Sequence, residues 1–234
     1  MMRLPILMYH NVVHEDSKGL TISVKNLESQ LAYLSEKRYE TYHFRDLDRL
    51  GKSAAKKKIV ITFDDAYVNQ LKYAVPLLEK YKMKATIFVP LAFVGKTDTW
   101  NTSELDILTL EQLKSLDPKV IELGFHSFYH HNYTALSNAE IEADTRRCME
   151  FVSENELNIA PVLAYPYGKF PKEKVRKKIF QKILSQNGIK FGLRIGNRIN
   201  AFPFKKPYEI QRIDVKGEWS LLKFRQKIRF GKYW

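Results

Sequence analysis

Apolar residues along this chain fall into two alternating rhythms. Short runs rich in β-branched and aromatic residues, at 4–9, 59–63, 85–89, 120–125 and 161–165, have the length and composition of buried strands. Two further short strands are predicted around 190–194 and 208–215. Between the strands the spacing turns helical. Leu27, Leu31 and Leu34 follow a Ser23 N-cap, and Leu71, Val75 and Leu78 lie in a predicted helix over 68–83 with a kink at Pro76. Thr109 with Gln112, and Ser137 with Glu140, have the spacing of capping boxes. The first opens a helix over 110–116; the second opens one whose buried side is traced by Ile141, Thr145, Cys148 and Val152. A basic helix over 172–186 and a C-terminal one over 219–234 complete the series. Strand and helix in alternation predict an α/β fold with a largely parallel sheet, and no repeat or linker divides 1–234 into more than one domain. About seven visible strands favour an irregular or incomplete barrel over a regular eightfold one.

The chemically loaded residues follow the C-terminal ends of predicted strands: His10, Asp64 and Asp65, His126, and Tyr167. That is the end at which a β/α barrel keeps its active site. Asp64 and Asp65 share a site only where the chain bends, because adjacent strand residues face opposite ways. Two close carboxylates repel unless a cation lies between them or one is protonated, which suggests a metal, a general base or both. Two solvated aspartates opening the next helix are the alternative. His126 and His130, four residues apart, can face one ion and, with a carboxylate, leave room for water; surface histidines would fit the same spacing. Three of the six histidines, His126, His130 and His131, fall within six residues here, which favours the metal. Ala164 to Gly168 either closes a strand with a proline turn or aims the Tyr167 backbone N–H at a developing oxyanion, with aromatic rings as a wall for a sugar.

Composition narrows the partners. With 234 residues, 44% of them hydrophobic, the chain can bury one sizeable core, and its formal charge of +13 invites nucleic acid, an anionic membrane or an acidic substrate. The basic residues are spread out and accompany no recognition motif, so no nucleic-acid partner is expected; the lysine run 56–58 reads as a solvated approach to a strand. The C-terminal helix carries Leu221, Phe224 and Ile228 on one face and Lys223, Arg225, Lys227, Arg229 and Lys232 elsewhere. It either docks on an anionic membrane or, the favoured reading, packs on the barrel with its charges solvated. The lone cysteine, Cys148, lies on an apolar stripe and reads as a buried thiol. The N-terminal apolar patch is too short for a secretory signal, and no run approaches membrane-spanning length. The expectation is a cytoplasmic protein, at most peripheral to the inner face of the membrane.

Thr62-Phe63-Asp64-Asp65-Ala66-Tyr67, His126-Ser127-Phe128-Tyr129-His130 and Tyr165-Pro166-Tyr167-Gly168 together resemble, in order and spacing, the first three motifs of the polysaccharide deacetylases, carbohydrate esterase family four. The likeness runs from Leu4 to about Val215, and Leu-Met-Tyr-His at its start resembles the poly-N-acetylglucosamine deacetylase branch. The resemblance implies a distorted (β/α)7 barrel and hydrolysis of an N-acetyl group on an amino sugar, in a polysaccharide or lipid-linked glycan. It implies one divalent metal, zinc first and cobalt or nickel as alternatives, held by Asp65, His126 and His130. Asp64 would be the general base and Tyr167 the backbone donor to the oxyanion. Tyr67, Pro166 and Trp100 are the candidate substrate contacts.

Three departures from the family pattern qualify this. Ala66 stands where glycine is usual, a small change unless the residue needs positive φ. Ala164 stands where an arginine usually braces the catalytic aspartate, and Arg212, near the end of a late strand, is the candidate substitute. No histidine follows His131 to act as the usual late general acid, so His10 is the candidate replacement. His14 and His43 read as surface residues, and His131 as a flank of the site. The rival readings are a hydrolase of another amide, an imide or an O-acetyl ester on the same metal site, and a carbohydrate-binding relative that has lost turnover.

Overall fold

The computed structural model describes residues 1–52, 57–101 and 104–232. Lys56 of the lysine run, Ser103 of the loop before Thr109, and Trp234 lie outside them. Strand β1 (Met2–Leu4) leads across Pro5 into β2 (Ile6–Tyr9), and β3 (Asn11–Val13) pairs in parallel with β4 (Thr21–Ser23). Ser23 caps α1 (Val24–Glu36) as expected, its hydroxyl accepting the Asn26 N–H, and Leu27, Leu31 and Leu34 are buried. After β5 (Tyr39–Thr41) comes β6 (Lys57–Phe63), every residue of which beyond Lys57 is buried.

The helix expected over 68–83 is shorter and comes in two pieces. A π-helical turn, Gln70–Ala74, precedes α2 (Val75–Lys80), with Pro76 in the first turn of α2. Proline has no N–H to donate and crowds the carbonyl four residues back, and the wider π turn accommodates both. Then follow β7 (Ala85–Val89), α3 (Leu110–Ser115), β8 (Ile121–Phe125) and α4 (Asn138–Glu154). Both predicted capping boxes are present, at Thr109 and Ser137. Cys148 is buried, whereas Val152 is only half-buried. The chain finishes with β9 (Ile159–Ala164), α5 (Lys174–Gln186), β10 (Phe191–Ile195), β11 (Asn200–Phe202), β12 (Ile210–Asp214) and α6 (Leu221–Phe230).

Seven strands, β2, β6, β7, β8, β9, β10 and β12, pair only in parallel. Because β2 bonds to β12 on one edge and to β6 on the other, the sheet closes into a barrel. The expected distorted (β/α)7 architecture is the one found. Its irregularity is visible at β6, whose first residues pair with β5 and whose last pair with β7. The interior is packed by Ile6, Val60, Phe88, Val162, Leu193 and Ile210, and a second, larger cluster fills the space between strands and helices. Gly124 is required here, since a Cβ would lie 2.5 Å from the Phe88 ring. That ring in turn supports the Arg212 guanidinium, 5.3 Å above its centre.

Helix α6 packs on the body of the protein, the favoured of the two expectations. Phe224 and Ile228 are buried, and Phe224 meets Tyr33 of α1 edge-on at 6.4 Å. Leu221 departs from the expected face and is 38% exposed, with Leu222 and Phe230 also exposed. His43 departs too: it is buried, with its Nε2 3.1 Å from the Val120 carbonyl, because the segment after β5 tucks under the barrel instead of crossing its surface.

Candidate active site at the barrel mouth

Strand β6 delivers the two aspartates. Asp65 and Ala66 have φ of 71° and 53°, so two successive left-handed residues turn the chain sharply at the strand end. The bend lets both carboxylates face the same space, which a continuing strand would forbid. Ala66 therefore does occupy a conformation that glycine adopts at lower cost.

Asp64 is clamped by Arg212 of β12. The guanidinium donates to both carboxylate oxygens, Nη1 to Oδ1 at 2.5 Å and Nη2 to Oδ2 at 2.7 Å, and also reaches the Thr62 hydroxyl at 3.2 Å. A bidentate pair of this kind fixes orientation as well as charge. Arg212 is 1% exposed and Asp64 2% exposed. Burial works to raise the Asp64 pKa, but the Arg212 charge, with His126 and His10, outweighs it and holds the carboxyl below its ordinary range. His10, just past β2, brings Nε2 to 3.7 Å from Asp64 Oδ2. Gln70 fixes the backbone of both, donating to the carbonyls of His10 (2.9 Å) and Asp64 (2.6 Å).

Asp65, His126 and His130 offer ligand atoms that all lie within 4.8 Å of one another. His126 Nδ1 is 2.8 Å from the Ala164 carbonyl, which can only accept, so Nδ1 carries the proton and the Nε2 lone pair faces Asp65 Oδ1 at 3.5 Å. His130 Nε2 lies 3.3 Å from the same oxygen. Burial pushes the His126 pKa down to about 4, so this imidazole is neutral at ordinary pH, the form that ligates. Burial works to raise Asp65, but the imidazoles of His130, His10 and His126 outweigh it and keep it an anion. Asp65 Oδ1 is buried and makes no hydrogen bond to the described residues. An orphaned carboxylate oxygen facing the Nε2 atoms of two histidines fits a divalent cation with two nitrogen ligands and one oxygen ligand.

The loop carrying the histidines is held from behind by Asp144 of α4, which accepts the backbone N–H groups of Phe128 and Tyr129, each at 3.2 Å, and the Tyr133 hydroxyl at 3.1 Å. Tyr167 is half exposed, has φ of 57°, and meets the His130 ring edge-on at 5.0 Å. Trp100 reaches in from the segment after β7 and stacks on His130, ring centres 3.8 Å apart and 20° from parallel.

Two expected substrate contacts face elsewhere. Tyr67 is 1% exposed, its hydroxyl donating to Asp98 at 2.7 Å and accepting from Asn101 at 2.8 Å, because the left-handed turn before it directs the ring inward. Pro166 is buried under the same turn that exposes Tyr167. Gln70, Asp98 and Asp144 escaped the sequence reading. No local spacing marks them, since they act on partners brought near by the fold.

A family model for polysaccharide deacetylases matches residues 51–191, more than half of the chain. The chain is 28% identical over 180 residues to YxkH of Bacillus subtilis (strain 168), a protein named as a polysaccharide deacetylase; the match covers 74% of this chain and 60% of that one, so the chain spans about three-fifths of this relative's length. It is 26% identical over 216 residues to the poly-β-1,6-N-acetyl-D-glucosamine N-deacetylase of Staphylococcus aureus (strain MRSA252), covering 87% of this chain and 71% of that one. Among solved structures, the Streptococcus pyogenes deacetylase PplD in complex with acetate aligns with a TM-score of 0.80 at 21% identity, over 97% of this chain and 98% of that one. IcaB from Ammonifex degensii aligns at 0.78 and 21% identity, over 98% of each chain. At these identities the structural likeness speaks for the fold.

Proposed function

This chain belongs to the polysaccharide deacetylase family, and from that premise we propose that it hydrolyses the N-acetyl group of an amino sugar in a glycan, releasing acetate and a free amine. The observation that carries the reading is the pairing of an arginine-clamped carboxylate, Asp64, with a histidine–aspartate cluster next to it. The Staphylococcus aureus relative makes a poly-N-acetylglucosamine-type polymer the first substrate to try.

Asp65, His126 and His130 would hold one divalent cation, zinc being the first choice for two imidazoles and a carboxylate. Such an ion, when bound, polarises a carbonyl and acidifies a water. Asp64, held as an anion by Arg212, takes a proton from the water that attacks the acetyl carbon. The Tyr167 backbone N–H donates to the oxygen on which negative charge develops. His10 gives a proton to the leaving nitrogen as the C–N bond breaks, which leaves acetate and an amine. With Nε2 of His10 at 3.7 Å from Asp64, the proton taken by the carboxylate has a short way back to the imidazole.

Acetate release from N-acetylglucosamine oligomers by the zinc- or cobalt-loaded protein tests this. Asp64→Asn should lower kcat by about 10²–10⁴-fold while metal binding persists, and His10→Ala should lower it by a similar factor. Full activity in Asp64→Asn would overturn the assignment of the base. The exposed Leu221 and Leu222 among the cations of α6 support a peripheral contact with an anionic membrane. No described helix is long and apolar enough to cross one. That contact predicts binding to phosphatidylglycerol vesicles that weakens with salt, and no binding at low salt would remove it.

A further inference from the structure

His126 and His130 are oriented by different means. His126 is locked by the hydrogen bond from its Nδ1 to the Ala164 carbonyl, the usual way a ligating imidazole is held. His130 Nδ1 is buried and has no hydrogen-bond partner among the described residues. Its backbone sits at φ 56°, so the chain alone does not settle the side chain into a common geometry. What fixes the ring is aromatic contact: Trp100 flat on one face at 3.8 Å, with the edges of Tyr167 and His126 at 5.0 and 4.9 Å.

Trp100 is itself held. Phe93 meets its ring edge-on at 4.9 Å. Two residues before it, Asp98 is fully buried and accepts from the Tyr67 hydroxyl (2.7 Å), Asn101 Nδ2 (2.7 Å) and the Leu105 N–H (2.9 Å). Asn101, the residue after Trp100, also donates to the Tyr67 hydroxyl. Tyr67 lies two residues beyond Asp65, so one end of this network is the turn that presents the carboxylate ligand and the other is the ring lying on the second imidazole.

We propose that Trp100, anchored through Asp98 to Tyr67, is a positioning residue for His130, doing by stacking what a hydrogen bond does for His126. The inference rests on the reading of Asp65, His126 and His130 as a metal site. Asp98 then couples the placement of two ligands that are far apart in sequence.

The test is Co²⁺ binding to wild type, Trp100→Leu, Trp100→Phe and Asp98→Asn, read by chelator competition, by the visible absorption of bound Co²⁺ and by tryptophan fluorescence. Wild type should bind Co²⁺ with quenching of the Trp100 emission. Trp100→Leu should bind about 10–100-fold more weakly, the range for loss of a residue that orients a ligand, with an altered absorption band. Trp100→Phe should restore most of the affinity, because a flat ring still covers His130. Asp98→Asn keeps the indole but loosens its anchor, so it should show a smaller loss of affinity and of quenching, and it decides the matter with Trp100→Phe if the leucine variant does not fold. Wild-type affinity and spectrum in Trp100→Leu would overturn the proposal. If wild type binds no Co²⁺, the metal reading fails first and takes this inference with it.

Discussion

The two ends of the barrel both bury charged side chains, under opposite conditions. At the N-terminal end, Glu122 of β8 accepts the backbone N–H of Phe44 at 2.8 Å, that of Arg45 at 3.0 Å and the Thr86 hydroxyl at 2.8 Å. Every demand that its charge makes is met within the chain. At the mouth, His10 Nδ1, Asp65 Oδ1, Ser127 Oγ and His130 Nδ1 are buried without a hydrogen-bond partner among the described residues. Leaving a buried polar atom unpaired costs about 1–3 kcal/mol. The saturated cluster needs nothing beyond the chain, whereas the unsaturated one has the open acceptor that the proposed cation site requires. Five left-handed residues, Asp65, Ala66, Ser127, His130 and Tyr167, lie at the mouth, while those at the other end, Arg38, Lys82 and Glu156, simply close helices before the next strand.

The comparison can be broken at its strongest point by Arg212→Met. Asp64 would be left buried without its cation, and stability should fall by about 3–5 kcal/mol. Adding Asp64→Asn to that variant should restore much of the loss, as measured by urea unfolding. If the double variant is no more stable than the single one, the pair is not what holds this end together.

Acid should act at the mouth next. His126 has its pKa lowered from 6.5 to about 4 by burial, so between those values the unfolded chain binds a proton that the folded one does not. Stability is therefore complete above about pH 6.5 and lost as pH falls toward 4, by about 3 kcal/mol in the metal-free protein. Asp64 and Asp65, both held below their ordinary range, add their loss at lower pH still. Unfolding free energies across this window should show the slope, and His126→Gln should flatten it; an unchanged slope would place the titrating group elsewhere.

At the other end, Glu122→Gln replaces one of two accepting oxygens with a donor and strands a backbone N–H, for a loss of about 2 kcal/mol. Acetate release should be unchanged, and a drop in kcat would erase the distinction drawn here between the two ends. The smallest effect is expected at Ala66→Gly. Relief of a left-handed alanine, about 1–2 kcal/mol, is opposed by a lost buried methyl and a freer unfolded chain, each worth about 0.5–1 kcal/mol. A net change within about 0.5 kcal/mol would explain how alanine stands where glycine is usual; a larger one would show that one term dominates.

What the sequence made legible divides along the same physical lines. The caps at Ser23, Thr109 and Ser137 were readable because each is closed within three residues of chain. The alternation that implied the barrel was readable because burial on both faces makes a strand apolar throughout. Arg212 was found 148 positions from Asp64 because the family pattern calls for a bracing arginine that Ala164 does not supply, and strand ends of a barrel share one mouth. The side-chain directions of Tyr67 and Pro166 were not readable, since each follows or sits within a left-handed turn that reverses where a ring points. Asp98, Asp144 and the stacking of Trp100 on His130 depend on loops whose course no periodicity records. His43 looked like a surface residue because it follows no predicted strand, and it is buried beneath the barrel with its Nε2 3.1 Å from the Val120 carbonyl.

The clamp on Asp64 has a consequence for how the protein comes into being. The aspartate is made early, at the end of the second of the seven barrel strands in chain order, while its arginine arrives on the last of them, β12, which bonds to β2 and closes the cylinder. Until that strand docks, the carboxylate has no guanidinium to fix its charge or its direction. The fixed charge and direction of this carboxylate thus belong to the closed cylinder and to no shorter piece of the chain.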